Sequence, residues 1–293
     1  MNSLSPDQLN KINWLIRHWG QQAKHMASGQ FQVFEKGIED YVTTVDRLLD
    51  EQLAAGFAAL FPQDGIVTEE NVQSRGAFHE NYSQLWFIDP IDGTDDFIHG
   101  RDYYAVMVGL LQAAQPKAGW VYAPAFDQLY FGGPNWGLFQ TKEDSAPEPL
   151  IPTEPPPPST DFCPVIMGDK DQRNFGEAIA QLIPEIQVSS VGSFGLKVMQ
   201  VICGHAGLYV YFNGRVKLWD TTGPVALAKA AGLVCCDLDG EPLQFTPDVL
   251  DSKTLAHHQP ILIGWPSYVE PLRSRLQQAV TQGRRFRDSQ HRE

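Results

Sequence analysis

The chain has 293 residues, 43% of them hydrophobic, and 35 acidic side chains against 22 basic ones give a formal net charge of −13. That acidity argues against nucleic acid or an anionic membrane as partner, and no apolar run approaches 18 residues, so no membrane span is expected. Four cysteines, two of them adjacent at Cys235 and Cys236, form neither a disulfide framework nor a zinc spacing. The polar start Met1-Asn2-Ser3-Leu4-Ser5-Pro6-Asp7 lacks a basic n-region, so no signal peptide and a cytoplasmic location are expected.

In chain order, Ser5-Pro6-Asp7-Gln8 reads as a capping box that opens a helix with Leu9, Ile12, Ile16 and Trp19 as its apolar stripe. A second helix is predicted from Thr44 to Leu60, with Val45, Leu48, Leu49 and Leu53 facing inward. Asp46 falls in its first turn, where the helix dipole favours a carboxylate whatever else it does. The short apolar run Gly65-Ile66-Val67 closes on Thr68-Glu69-Glu70, and the run from Leu85 to Ile88 reads as a buried strand. Strand-like pieces at Tyr103 to Leu111, Gly119 to Tyr122, Gln128 to Phe131 and Gly137 to Thr141 suggest an antiparallel meander.

The proline-rich stretch from Ser145 to Pro158 resists helix and sheet and reads as an extended linker or surface loop. It suggests an α+β domain over 1–144, a linker over 145–160 and an α/β domain over 161–293. In the last, strands at Pro164 to Met167, Gln187 to Val191, Gly207 to Phe212, Leu233 to Asp237 and Ile261 to Gly264 alternate with helical runs. One of these runs, Thr221 to Gly232, is closed by Gly232 and would take Asp220 as its N-cap.

The most informative stretch is Asp89-Pro90-Ile91-Asp92-Gly93-Thr94. Two carboxylates three positions apart stand where a buried strand gives way to turn residues, and the Gly93-Thr94 turn can aim backbone N–H groups at an anion. Oxygen ligands beside an anion cradle suit a magnesium-dependent phosphate enzyme. Asp and Gly also populate ordinary turns, so this stretch alone leaves a plain turn open. A calcium loop of the EF-hand type counted from Asp89 fails, because its positions 3, 5 and 12 are Ile91, Gly93 and Gly100.

Four ordered motifs together resemble the inositol monophosphatase family of magnesium-dependent, lithium-sensitive phosphatases. D-P-[IL]-D-G-T stands as Asp89 to Thr94, and W-D-x-[AT]-[AG] as Trp219-Asp220-Thr221-Thr222-Gly223. G-E-E stands as Thr68-Glu69-Glu70, with Thr in place of Gly, and V-T-x-x-D as Val42-Thr43-Thr44-Val45-Asp46. The resemblance runs from about residue 5 to about residue 280. It implies a layered α-β-α-β-α sandwich of the inositol monophosphatase and fructose-1,6-bisphosphatase type, and a homodimer. It also implies two or three magnesium ions. Glu69, Asp89 and the Ile91 carbonyl would hold one; Asp89, Asp92 and Asp220 would hold a second; Glu69 would share a weaker third. By the same resemblance Gly93 and Thr94 bind the substrate phosphate, while Asp46, Thr94 and Glu69 orient the attacking water.

Elementary electrostatics asks for the same cations. Two carboxylates about 4 Å apart repel by roughly 4 kcal/mol at an effective dielectric near 20, and gathering four of them without a cation would keep some protonated. Magnesium, small and hard, favours carboxylate, carbonyl and water oxygens.

The substrate is less legible. The inositol monophosphatases proper carry an acid seven positions before the second-motif aspartate, where this chain has Asn213; its amide still suits a polyol. Gly192-Ser193-Phe194-Gly195-Leu196-Lys197 resembles the G-S-x-x-x-K of the 3′-phosphoadenosine-5′-phosphate phosphatases, so Lys197 and Arg215 are candidates for a second phosphate, or else solvated surface charges. Those relatives usually place an acid before the second-motif Trp, where this chain has Leu218. Asp95-Asp96 departs from the usual residues after the threonine. Glu70 is either a supporting acid or exposed, His79, His99, His257 and His258 are expected to face solvent from loops, and Trp86 and Trp219 are expected to wall the site. The expected function is hydrolysis of a small phosphorylated metabolite, an inositol or similar polyol phosphate first, a 3′(2′),5′-bisphosphate nucleotide second. A catalytically silent phosphate-binding or regulatory protein is the alternative of another class.

Overall fold

The computed structural model describes residues 4–37 and 40–290, with side chains described as far as residue 285. Five layers follow from which face of each element is apolar. The outermost layer is α1 (Pro6–Ala27) and α2 (Thr44–Leu60). α1 opens with the Ser5–Gln8 capping box and buries Ile12 and Ile16, while Leu9 and Trp19 are half-buried at its margin. α2 opens with a second capping box, Thr43 and Asp46, and buries Val45, Leu49 and Leu53, with Leu48 half-buried. Before it lies an antiparallel hairpin, β1 (Val33–Gly37) and β2 (Asp40–Thr43), which no sequence signal announced.

The next layer is a seven-stranded sheet ordered β3 to β9. β3 (Gly65–Thr68) runs parallel to β4 (Gln84–Asp92), and β5 (Ala105–Gln112), β6 (Gln115–Ala123), β7 (Gln128–Gly133), β8 (Gly137–Lys142) and β9 (Glu148–Pro149) continue antiparallel. The expected meander is present. β4 differs from expectation: it does not stop before the motif but carries it, with an irregular register between Asp89 and Asp92. Strand alternation sends Trp86 and Ile88 toward α1 and α2 and Phe87 toward the opposite layer. Trp86 therefore packs with Phe57, Phe61 and Trp120 in the core and donates 2.9 Å to Asp64, rather than walling the site.

The middle layer is α5 (Phe194–Ile202) and α6 (Leu218–Ala230). Beyond it is a five-stranded sheet in the order β11 (Gln187–Ser189), β10 (Pro164–Met167), β12 (Leu208–Tyr211), β14 (Ile261–Gly264), β13 (Val234–Cys236). Its far face is covered by α4 (Asp169–Leu182) and α7 (Pro266–Gln290), through Phe175, Ile179, Leu272 and Leu276. The result is the expected α-β-α-β-α sandwich.

The predicted linker does not wholly resist sheet, since Glu148–Pro149 within it is β9, paired with β8; the rest is an extended strap with partners of its own. Thr153 N–H donates 2.9 Å to the Ile202 carbonyl, the Tyr268 hydroxyl 2.7 Å to the Pro156 carbonyl, and the Ser267 hydroxyl 2.6 Å to Glu154. The strap leads from one sheet to the other, but α5 and α6, which follow it, share one continuous core with the first sheet.

α6 lies unusually close to that sheet, because glycines face each other across the contact. A Cβ at Gly119 would stand 2.1 Å from the Gly223 carbonyl oxygen, and one at Gly109 2.4 Å from the Gly223 nitrogen. Those neighbours are backbone and cannot swing aside. Gly119→Ala is therefore expected to cost about 1–3 kcal/mol, read as a lower midpoint in thermal unfolding. An unchanged midpoint would show that the close approach of α6 is not tight.

Candidate active site

The carboxylates converge where β3 and β4 end against the first turn of α6. Carboxylate oxygens of Asp89, Asp92 and Asp220 all lie within 4.8 Å of one another, and Glu69, outside that trio, stands near enough for its charge to act on all three. β4 supplies Asp89 and Asp92. The Ile91 N–H donates 3.0 Å to Asp89, while the Ile91 carbonyl lies 3.0 Å from the Thr94 hydroxyl. That hydroxyl also lies 3.1 Å from Asp46, whose other carboxylate oxygen accepts 2.9 Å from Thr43 N–H. Gly93, at φ 89°, makes the turn into α3 (Thr94–Ile98); any side chain here would meet the Tyr103 carbonyl at 3.0 Å.

Asp220 is not the N-cap expected from the sequence. α6 starts earlier, at Leu218, so Lys217 is the N-cap and Asp220 the third helical residue, reaching back to accept 2.6 Å from Lys217 N–H. The misplacement has a physical origin: an aspartate satisfies free N–H groups from either position of a capping box. Gly232 does close the helix, at φ 83°.

Glu69 is positioned by its backbone. Its N–H donates 3.1 Å to the Ile88 carbonyl, and its own carbonyl accepts 3.2 Å from the Arg75 guanidinium. Asp50, buried on α2, accepts from the Thr68 hydroxyl at 2.8 Å and from Glu70 N–H at 3.1 Å, so it holds the Thr68-Glu69-Glu70 corner. Lys36, from the β1 hairpin, is 2.9 Å from Glu69 and 2.8 Å from Glu70. Glu70 is thus half-buried and ion-paired rather than exposed. Neither Lys36 nor Asp50 was legible in the sequence: each lies in an unremarkable local pattern and reaches the site only through tertiary structure.

The titration directions report the crowding. Burial pushes Asp89 well up, and Glu69, Asp92 and Asp220 push it further. Burial raises Asp92 to about 6 against the opposing bonds from Ser193 (2.5 Å) and Gly195 N–H (2.9 Å). Asp220 rises to about 7, through burial and then Glu69 and Asp92, with Lys217 opposing. Asp46 rises to about 6, mainly through burial. Burial also works on Glu69, but Lys36 and Lys217 outweigh it and hold Glu69 below its ordinary value. Carboxylates forced toward protonation, all offering hard oxygens in one pocket, fit a small divalent cation.

A cleft of about 770 Å³ opens beside this cluster. Asn213, Lys197 and Arg215 all line it, with Gly93 at its floor and Lys170, Arg173 and Lys217 as further cations. Lys197 is not a solvated surface charge: it is buried and donates 2.8 Å to the Gly192 carbonyl. Arg215 is exposed on the rim. Asp96 turns from the cluster to Arg101, 2.5 Å away. Trp219 is buried beside Asp220, with the Arg75 guanidinium 5.0 Å and the Lys217 ammonium 5.7 Å from its ring centre. His79, His99 and His258 are exposed as expected, but His257 is buried, because its loop folds back against α6.

Comparison with known proteins places this arrangement. The profile of the inositol monophosphatase family matches residues 8–279. Over 243 residues the chain is 28% identical to the 3′(2′),5′-bisphosphate nucleotidase CysQ of Shigella flexneri, covering 82% of this chain and 94% of that one. Over 226 residues it is 26% identical to an inositol monophosphatase of Mesembryanthemum crystallinum, covering 73% and 79%. Among solved structures, an IMPase of Thermotoga maritima superposes with a TM-score of 0.76 over 94% of this chain and 99% of that one, at 20% identity, and inositol monophosphatase II of Staphylococcus aureus with 0.72 over 97% and 99%, at 19%. With the fold, the acid cluster and the profile in agreement, the chain belongs to the inositol monophosphatase family, whose members are phosphoric monoester hydrolases.

Proposed function

We propose that the protein is a magnesium-dependent phosphomonoesterase acting on a small phosphorylated metabolite. The observation that carries this reading is the meeting of Asp89, Asp92 and Asp220 within 4.8 Å, with the charge of Glu69 acting on all three. Glu69, Asp89 and the Ile91 carbonyl would hold one ion, Asp89, Asp92 and Asp220 a second, and Glu69 a share of a weaker third. Bound there, magnesium supplies positive charge for the attacking water and for the leaving alkoxide. The chain's own groups do the rest. Gly93 and Thr94 N–H groups bind the phosphoryl oxygens, and Asp46, through the Thr94 hydroxyl, orients the water with Glu69. Lys36 neutralises Glu69 and Glu70 while substrate and cation are absent. Inhibition by lithium, a homodimer and a cytoplasmic location belong to the same proposal; among the described residues no helix is long and apolar enough to cross a membrane.

Two substrate classes suit the cleft. An inositol or sugar phosphate would meet the Asn213 amide. A 3′(2′),5′-bisphosphate nucleotide is favoured by the cleft's volume, which lies in the range that holds ligands of drug size, and by the cations Lys170, Arg173, Lys197 and Arg215 in a lining that also carries acids such as Asp169 and Asp171. Phosphate release from inositol 1-phosphate, fructose 1,6-bisphosphate and 3′-phosphoadenosine 5′-phosphate, with and without magnesium, tests both levels. Arg215→Ala is expected to raise KM for the bisphosphate nucleotide about tenfold, a loss of about 1.4 kcal/mol, and to change inositol 1-phosphate hydrolysis less than twofold. Equal losses on the two substrates would refute the second-phosphate role. No magnesium-dependent release from any of the three would contradict the proposal at both levels.

A further inference from the structure

The buried His257 has no part in the chemistry above, yet it is bonded to the turn that presents Asp220. The Thr221 hydroxyl donates 3.1 Å to the Lys217 carbonyl, one helical turn back. A hydroxyl has one proton to give, so the 2.8 Å contact between Thr221 Oγ1 and His257 Nε2 has the imidazole as donor. The backbone repeats the attachment: His257 N–H donates 2.9 Å to the Val216 carbonyl, and Ala256 pairs with Lys217 in an antiparallel bridge. Leu255, wholly buried, takes a φ of 58° just before this segment, a conformation side-chain-bearing residues rarely adopt. The Phe245 ring meets the imidazole edge-on at 5.2 Å.

This turn has reason to need an external hold. Pro224 lies inside α6 and offers no N–H to the Asp220 carbonyl four residues back. The Asp220 side chain is also repelled by Glu69 and Asp92 whenever no cation is bound. Thr222 cannot serve, because it faces the other way, with its Cβ against Gly109 of the seven-stranded sheet.

We infer that His257 is a positioning residue of the acidic site: acting through Thr221, it fixes the first turn of α6 and with it the Asp220 carboxylate. The inference rests on Asp220 being a metal ligand, as proposed above. The test measures terbium binding to the metal-free full-length chain by terbium luminescence sensitised from Trp219, with magnesium as competitor. Thermal midpoints without metal are recorded alongside. Thr221→Val and His257→Phe are each expected to weaken binding about tenfold, and the double variant no more than either single one, since one linkage is cut twice. His257→Gln, which restores a side-chain N–H donor, is expected to bind within twofold of the unaltered chain. Unchanged binding in Thr221→Val would overturn the inference, as would equal weakening in His257→Gln and His257→Phe. Thr221→Val decides the matter if His257→Phe fails to fold. Asp220→Asn separates the two levels: if it binds terbium as well as the unaltered chain, the ligand reading itself falls and the brace with it.

Discussion

Asp92→Asn is expected to lower kcat/KM by about a thousandfold or more, equivalent to about 4 kcal/mol of transition-state stabilisation, while leaving the fold intact. The substitution keeps shape and removes charge. Asp92 accepts from the Ser193 hydroxyl and Gly195 N–H through one oxygen, Oδ2, and the single amide oxygen of asparagine can accept the same two bonds. These bonds tie β4 to the start of α5, so the join between the layers survives. What is lost is an anionic oxygen within 4.8 Å of Asp89 and Asp220. Replacing even an outer partner of a metal ligand typically costs about 10–100-fold, and a ligand costs more. Steady-state kinetics at saturating magnesium, with thermal unfolding of the same sample, checks both halves. Near-normal turnover would remove Asp92 from the site, whereas loss of the thermal transition would make its role structural.

The second large effect is on stability without metal. Asp89 is pushed well above its ordinary value, and Asp220 and Glu70 are raised to about 7. Each of these groups binds its proton more tightly folded than unfolded. Their contribution is fully present below the unfolded carboxylate range and is lost as pH rises through the folded values. Lowering pH from 8 to 6.5 should therefore stabilise the metal-free chain by about 2–3 kcal/mol, a rise of about 5 °C or more in the unfolding midpoint. Glu69, held low, and Lys36, held high, do not titrate in this window. His257, lowered by burial to about 4, works the other way, but only below its unfolded value near 6.5. Saturating magnesium should abolish the trend, because it stabilises the ionised carboxylates, and should add about 2.7 kcal/mol at a hundredfold excess over its dissociation constant. A midpoint that falls from pH 8 to 6.5 in the metal-free chain would contradict the crowding.

Much of this was legible in the sequence because it is written locally. The capping box at Ser5, the alternation through β5 to β8 and the Gly232 cap each depend on residues a few positions apart, whereas the second capping box, Thr43 with Asp46, emerges only in the structure. The motif acids were legible because their spacing is fixed by the strand and helix ends that carry them. Residues that reach the site from elsewhere left no such mark. Lys36 arrives on a hairpin whose strands are short, Asp50 sits mid-helix facing inward, and His257 looked like a loop histidine because nothing local shows that its loop folds back on α6. α6 starts three residues before the expected place, since an aspartate answers the same free N–H groups from the N-cap and from the third helical position. The proline-rich strap reads as a spacer by composition alone; its partners lie on β8, on the Ile202 end of α5 and on α7.

Crystals of the protein soaked in manganese, which takes the same hard oxygen ligands as magnesium, test the central claim most directly through an anomalous difference map. The account predicts one peak among Glu69, Asp89 and the Ile91 carbonyl and another among Asp89, Asp92 and Asp220, both absent in Asp92→Asn or reduced to the first. Manganese bound only elsewhere, with these four carboxylates left without an ion, would contradict it.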